Sequence, residues 1–126
     1  MLLDDYLSQI KNVLDNTAAL LIKDSLTIDK RPQQQAHIFG VLIFIDESQL
    51  HFREFIDGSE GSIEKVAYSY HLQNKSNQLL FRYDNAKHKP ALGFDEHKHC
   101  FDDIIYAPAP HLQQVMQESI VMLELI

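Results

Sequence analysis

Residues 37–57 read His-Ile-Phe-Gly-Val-Leu-Ile-Phe-Ile-Asp-Glu-Ser-Gln-Leu-His-Phe-Arg-Glu-Phe-Ile-Asp, and the change of pattern along them decides the fold class. Up to Ile45 the run is apolar at both alternating positions, the pattern of a central strand covered on two sides. Asp46, Glu47, Ser48 and Gln49 then form a polar turn. Beyond it Leu50, Phe52 and Ile56 alternate with His51, Arg53 and Asp57, as on a strand with one buried face. A turn this short joins antiparallel neighbours. Glu54 falls on the apolar face, where a carboxylate needs a partner or a proton. Arg82 and Tyr70 are candidate partners from neighbouring strands.

The same periodicities extend outward. Val66, Tyr68, Tyr70 and Leu72 alternate with Ala67, Ser69 and His71, a polar turn covers residues 73–78, and Leu79, Phe81 and Tyr83 continue on a further strand. Residues 58–62 read as a loop. Upstream, residues 18–28 read as one more strand, broken by Lys30-Arg31-Pro32. Leu3, Tyr6, Leu7, Ile10, Val13 and Leu14 recur at helical spacing, which predicts an amphipathic helix over residues 2–15. Leu112, Val115, Met116, Ser119, Ile120 and Leu123 predict a second, with Pro108 and Pro110 at its start. The expected architecture is α+β: an antiparallel β-meander of four to five strands with N-terminal and C-terminal helices packed on one face.

The 126 residues suffice for one domain, 1–126, and with 45% hydrophobic residues it can hold a core unaided. The single Cys100 excludes an internal disulfide and a multi-cysteine zinc site. No apolar run approaches the length of a membrane span, and the acidic start Met1-Leu2-Leu3-Asp4-Asp5 lacks the basic region of a signal peptide. These features predict a soluble cytoplasmic protein with no membrane association. The net charge of −7 argues against duplex DNA binding by this chain alone. Charge is uneven, however. Residues 82–99 carry Arg82, Lys87, Lys89 and Lys98 against Asp84, Asp95 and Glu96, a net of +1 that leaves −8 elsewhere. The same window holds His88, His97 and His99, a cationic island suited to an anion.

On a strand Arg82 and Asp84 share one face and Phe81 and Tyr83 the other; His97 and His99 share one side, with Lys98 and Cys100 opposite. The run Phe81-Arg82-Tyr83-Asp84-Asn85-Ala86, then His88, then His97-Lys98-His99, resembles the signature of the TumE-like family. These are small prokaryotic toxins encoded beside a helix-turn-helix antitoxin. The similarity reaches upstream through residues 50–54 and 68–71. The chain departs from the family pattern at Lys87 (usually Pro), Lys89 (usually His) and Asp95-Glu96 (usually Pro-His), so two familiar histidine positions are lost. The resemblance implies a toxin with an antitoxin partner encoded nearby.

His88, His97 and His99, with Asp84 or Glu96, contain enough donors for a metal ion, but Lys98 between two of them opposes a second cation. Metal-free and cofactor-free chemistry is therefore expected. Cleaving RNA requires a base for the 2′-hydroxyl proton, an acid for the leaving oxygen and cations for the charged phosphorane. Histidine suits both proton roles, while Arg82 and Lys98 suit the phosphate. The candidate catalytic residues are Arg82, Asp84, His88, His97, Lys98 and His99, with Asp84 orienting an imidazole or holding Arg82. A non-catalytic interaction domain, whose histidine loop forms part of an interface, is the alternative. A nucleotide phosphotransferase ranks last, since no Gly-rich phosphate loop is present among four glycines. An exposed edge strand would also allow a homodimer.

Overall fold

The computed structural model describes residues 2–86, 95–100 and 103–125. Helix α1, Leu3–Asn16, buries Leu3, Leu7, Ile10 and Leu14 along one stripe and carries Asp4 and Asp5 at its positive end. A 3-10 turn at Ala18–Leu20 leads into β1, Leu21–Asp24, and β2, Thr27–Arg31. The long strands β3, Gln35–Phe44, β4, Gln49–Asp57, and β5, Glu64–Gln73, form the middle of the sheet. After them come β6, Leu79–Asp84, β7, His97–Cys100, β8, Asp103–Tyr106, and helix α2, Leu112–Met122. All strand pairs are antiparallel, in the order β1-β3-β4-β5-β6-β7-β8, and β2 pairs with β3 beside β1. No helix among the described residues is long and apolar enough to cross a membrane.

The antiparallel α+β architecture is as expected, but the eight strands among the described residues exceed the expected four to five. Two causes are visible. The segment 18–28 holds a 3-10 turn and then two strands instead of one, because the chain kinks at Ser25 and both pieces lie along the ten residues of β3. At the kink the Ser25 hydroxyl donates to the Val41 carbonyl at 3.0 Å and accepts from the Val41 N–H at 3.1 Å. The approach is so close that a Cβ at Gly40 would lie 2.9 Å from the Ser25 carbonyl oxygen. The second cause is at the other edge, where His-Lys-His-Cys and Asp-Ile-Ile-Tyr are four-residue strands too short for alternation to declare them. Lys30 and Arg31 also belong to β2, so the break falls at Pro32, ahead of Gln33 and Gln34 with φ of 63° and 60°.

A further correction concerns β3. Its inner side, Ala36, Ile38, Leu42 and Phe44, is fully buried against the two helices. Its outer side is only partly covered, and Phe39 is 39% exposed. Both helices lie on one face, so an apolar run that reads as two-sided is covered on one.

Glu54 organises the inner face. It is fully buried on β4, and the hydroxyls of Tyr6 from α1 and Tyr70 from β5 each donate to one of its carboxylate oxygens. Lys65 Nζ lies 3.6 Å from the carboxylate and donates to Tyr70 Oη at 2.6 Å and to the Pro110 carbonyl at 2.7 Å. The partner is thus Tyr70, as expected, together with Tyr6 and Lys65, while Arg82 lies on the opposite face of the sheet. Burial pulls the Lys65 ammonium below its usual range, against the opposing pull of Glu54. Burial first, and the Glu54 charge second, push the Tyr6 and Tyr70 phenols well above theirs.

Glu54→Ala strands a buried ammonium and two phenols, and should lower unfolding free energy by about 3 kcal/mol in urea titrations. The tyrosines give a second prediction. Tyr6, Tyr68, Tyr70 and Tyr83 are all raised above 10.0 in the folded state, so only the unfolded chain releases these protons just above that pH. Stability should therefore fall as pH rises past 10.0, and phenolate absorbance from these four should grow together with loss of circular dichroism.

Candidate functional site

The helix-free face of the sheet carries the polar chemistry, arranged in two rows by strand register. One row runs Val41, His51, His71, Arg82, His99 and Ile104 from β3 to β8. The next runs Phe39, Arg53, Ser69, Asp84, His97 and Tyr106. Alternation places each member on its face; pairing between distant segments places it beside its neighbours.

Asp84 is the hub. Its Oδ2 accepts from Arg82 Nε at 2.7 Å, and its Oδ1 accepts from the Ala86 N–H at 3.0 Å. His97 Nε2 lies 2.8 Å from Oδ1, and His99 Nε2 lies 3.9 Å from Oδ2. His97 has no exposed surface, and its Nδ1 faces the Asp95 carbonyl oxygen at 2.5 Å, so the ring is held between two acceptors. His99 meets it edge to face at 4.9 Å between centroids and keeps part of its surface open. Arg82 is 38% exposed and also directs Nη1 to His71 Nδ1 at 3.4 Å. Burial, then the Arg82 and His51 charges, hold the His71 imidazole below its usual 6.5. It therefore accepts from the guanidinium as a neutral ring.

Four of the six expected residues converge: Arg82, Asp84, His97 and His99. Lys98 does not join them. It lies on the inner face, where its Nζ donates to Glu118 Oε2 on α2 at 2.6 Å and stands 4.9 Å from the Tyr83 ring centroid. Burial lowers its pKa, but the bonds to Glu118 and Tyr83 outweigh this and leave it raised. Strand parity is the reason: a residue between His97 and His99 must face the other way. His88 and the altered positions Lys87 and Lys89 lie outside the described residues. The other altered pair has structural work, since the Asp95 carbonyl faces His97 and the Glu96 carboxylate accepts from Tyr68 Oη at 3.1 Å and the Ala109 N–H at 3.0 Å.

Sequence reading placed His51, Arg53 and His71 on the polar side of their strands without assigning them to the site. Alternation signals that side of each strand, but only the sheet order, with β5 beside β6 and β4 beyond it, brings these residues toward Arg82.

Asp84, His97 and His99 offer three ligand atoms within 4.8 Å of one another, enough for a metal ion. The donor set fits poorly, because the carboxylate already binds the Arg82 guanidinium, which opposes a divalent cation, and His97 Nε2 is directed at the carboxylate itself. The opposing cation is thus Arg82 rather than Lys98.

The unfolded chain takes up a proton at His71 near pH 6.5, before the folded one does. Stability should accordingly be complete above that pH and decline as pH falls through it toward the folded-state value. Thermal melts should show His71→Gln losing less stability over this interval than wild type.

A sequence profile of the family described as Toxin TumE matches residues 10–125, a span containing all eight strands, α2 and every candidate site residue. Neither the curated proteins nor the solved structures give a significant match. With nearly its whole length matched, the chain belongs to the TumE toxin family.

Proposed function

We propose that this chain is the toxin of a prokaryotic toxin–antitoxin pair and that it cleaves RNA by metal-independent histidine acid–base chemistry. The observation that carries the reading is the register His71–Arg82–His99, which flanks one partly exposed guanidinium with an imidazole on each side. At strand spacing the flanking residues stand about 5 Å away on either hand. Arg82 binds the scissile phosphate and stabilises the charge of the phosphorane. As Arg82 turns to the phosphate it leaves its 3.4 Å contact with His71 Nδ1, and that freed nitrogen of the neutral ring takes the 2′-hydroxyl proton as the 2′-oxygen attacks phosphorus. The bond from phosphorus to the 5′-oxygen breaks, and that oxygen receives a proton from His99, leaving a 2′,3′-cyclic phosphate. Asp84 and the buried His97 are positioning residues that fix the Arg82 fork and the His99 ring. The partner under this reading is a basic helix-turn-helix antitoxin encoded nearby, to which a body of net charge −7 is electrostatically matched.

A second reading, a non-catalytic interaction domain, has one observation in its favour. Strand β8, last in the sheet order among the described residues, exposes Ile104 and Ile105, and an apolar edge strand favours strand addition by a protein partner or a second copy.

Incubating the purified protein with cellular RNA, with and without chelator, tests the proposal. Chelator-resistant cutting is expected, with His99→Ala and Arg82→Ala each slower by at least about a hundredfold while their circular dichroism stays like wild type. Chelator-sensitive cutting overturns the metal-independent mechanism. Cutting that survives both substitutions overturns the site, and its absence in wild type overturns the activity.

A further inference from the structure

We propose that the helix-free sheet face is a binding track for single-stranded RNA laid across the strands from β3 to β7, with Arg53 as a phosphate contact beyond the reacting centre. The choice of RNA rests on the ribonuclease reading; the track itself rests on four features of the surface.

The first is shape. A shallow cleft of about 550 Å³ runs over the middle of the face, lined among others by Phe39, Val41, His51, Arg53, His71 and Arg82. It reaches the candidate reacting centre at Arg82 and His71 and continues away from it over β4 and β3. From β3 to β7 is four strand spacings, about 19 Å, which is longer than one nucleotide requires and suits a short stretch of extended chain. The second is charge. On a chain of net charge −7, the two rows from β3 to β7 hold two guanidinium cations, Arg53 and Arg82, among the hydrogen-bonding imidazoles of His51, His71 and His99. Their single carboxylate, Asp84, is already engaged by Arg82 and His97.

The third is Arg53 itself. It is exposed in the middle of the sheet, on the strand paired along most of its length on both sides. Among the described residues it has no acidic partner, whereas Arg31 and Arg82 each bind a neighbouring aspartate. A guanidinium that no carboxylate already neutralises can receive a phosphate without first giving up an ion pair, and its backbone is fixed by pairing on both sides. The fourth is the apolar component. Phe39 stands beside Arg53 in its row, 39% exposed, with the His37 ring 4.8 Å from its own. Exposed ring faces beside cations are what unpaired bases stack upon, and a duplex hides those bases. The acidic remainder of the surface would also repel a second phosphate backbone.

Binding is read by fluorescence anisotropy with a labelled single-stranded 2′-O-methyl oligoribonucleotide, whose blocked 2′-hydroxyl prevents cleavage. Arg53→Gln should weaken binding by about tenfold and lower the salt slope by about 0.7, the loss of one phosphate contact. Arg53→Lys should recover part of the affinity, and Lys11→Gln, an equal charge change on the far side at α1, should stay within about twofold of wild type. Equal binding by wild type and Arg53→Gln overturns the track. So does equal weakening by Lys11→Gln, equal affinity for the matched duplex, or displacement of the probe by an oligoglutamate peptide at comparable concentration. The two proposals separate cleanly. Arg53-dependent binding of the probe without cutting of unmodified RNA sinks the ribonuclease and keeps the track; cutting with a KM unaltered by Arg53→Gln does the reverse.

Discussion

A carboxylate at the centre of the apolar layer, Glu54, sets the terms for the rest of the molecule. Its desolvation is offset only because two phenols and an ammonium are delivered to it from three other places in the chain: Tyr6 on α1, Tyr70 on β5 and Lys65 at the start of β5. Lys65 continues the chain of contacts to the Pro110 carbonyl, two residues before α2. Both helices are thereby tied to one side of β4 and β5. With both helices on one face of the sheet, no helix among the described residues lies on the other.

That other face is where the histidines gather. His37, His51, His71, His97 and His99 all project from the side opposite the core residues of their strands. The inner side answers with tyrosines: Tyr6, Tyr68, Tyr70 and Tyr83 each donate to, or lie against, a buried or half-buried carboxylate. Phenols remain neutral through the physiological range and suit a dry layer beside acids, whereas imidazoles near water can exchange protons. The partition of residue types between the faces thus matches structure on one side and chemistry on the other.

Asp84 links the two concerns. It is nearly as buried as Glu54 yet faces outward, and its oxygens take a guanidinium, a backbone amide and an imidazole. Holding Arg82 and His97 in this way confers order on a surface that has no helix above it. Residues 82, 84, 97 and 99, which carry the sequence resemblance, are the members of this cluster, while residue 98 serves the helix side. One short strand therefore supplies both the buried imidazole beside Asp84 and an anchor for α2.

Much of this is written in local pattern. Residues 3–16 and 112–122 show their helices through apolar spacing, and Leu50, Phe52 and Ile56 show which side of β4 is wet, because a side chain's direction on a regular element depends only on its place in the repeat. For the same reason the opposed directions of Lys98 and its two histidine neighbours are legible in the sequence, and they separate Lys98 from the phosphate role that its charge suggests. What tertiary structure alone decided is adjacency: that the kinked segment at Ser25 makes two strands along β3, that Phe39 faces outward without a covering helix, and that Arg82 stands between His71 and His99. Hydrogen bonding between segments far apart in the chain sets those relations, and no repeat within a single segment encodes its neighbour.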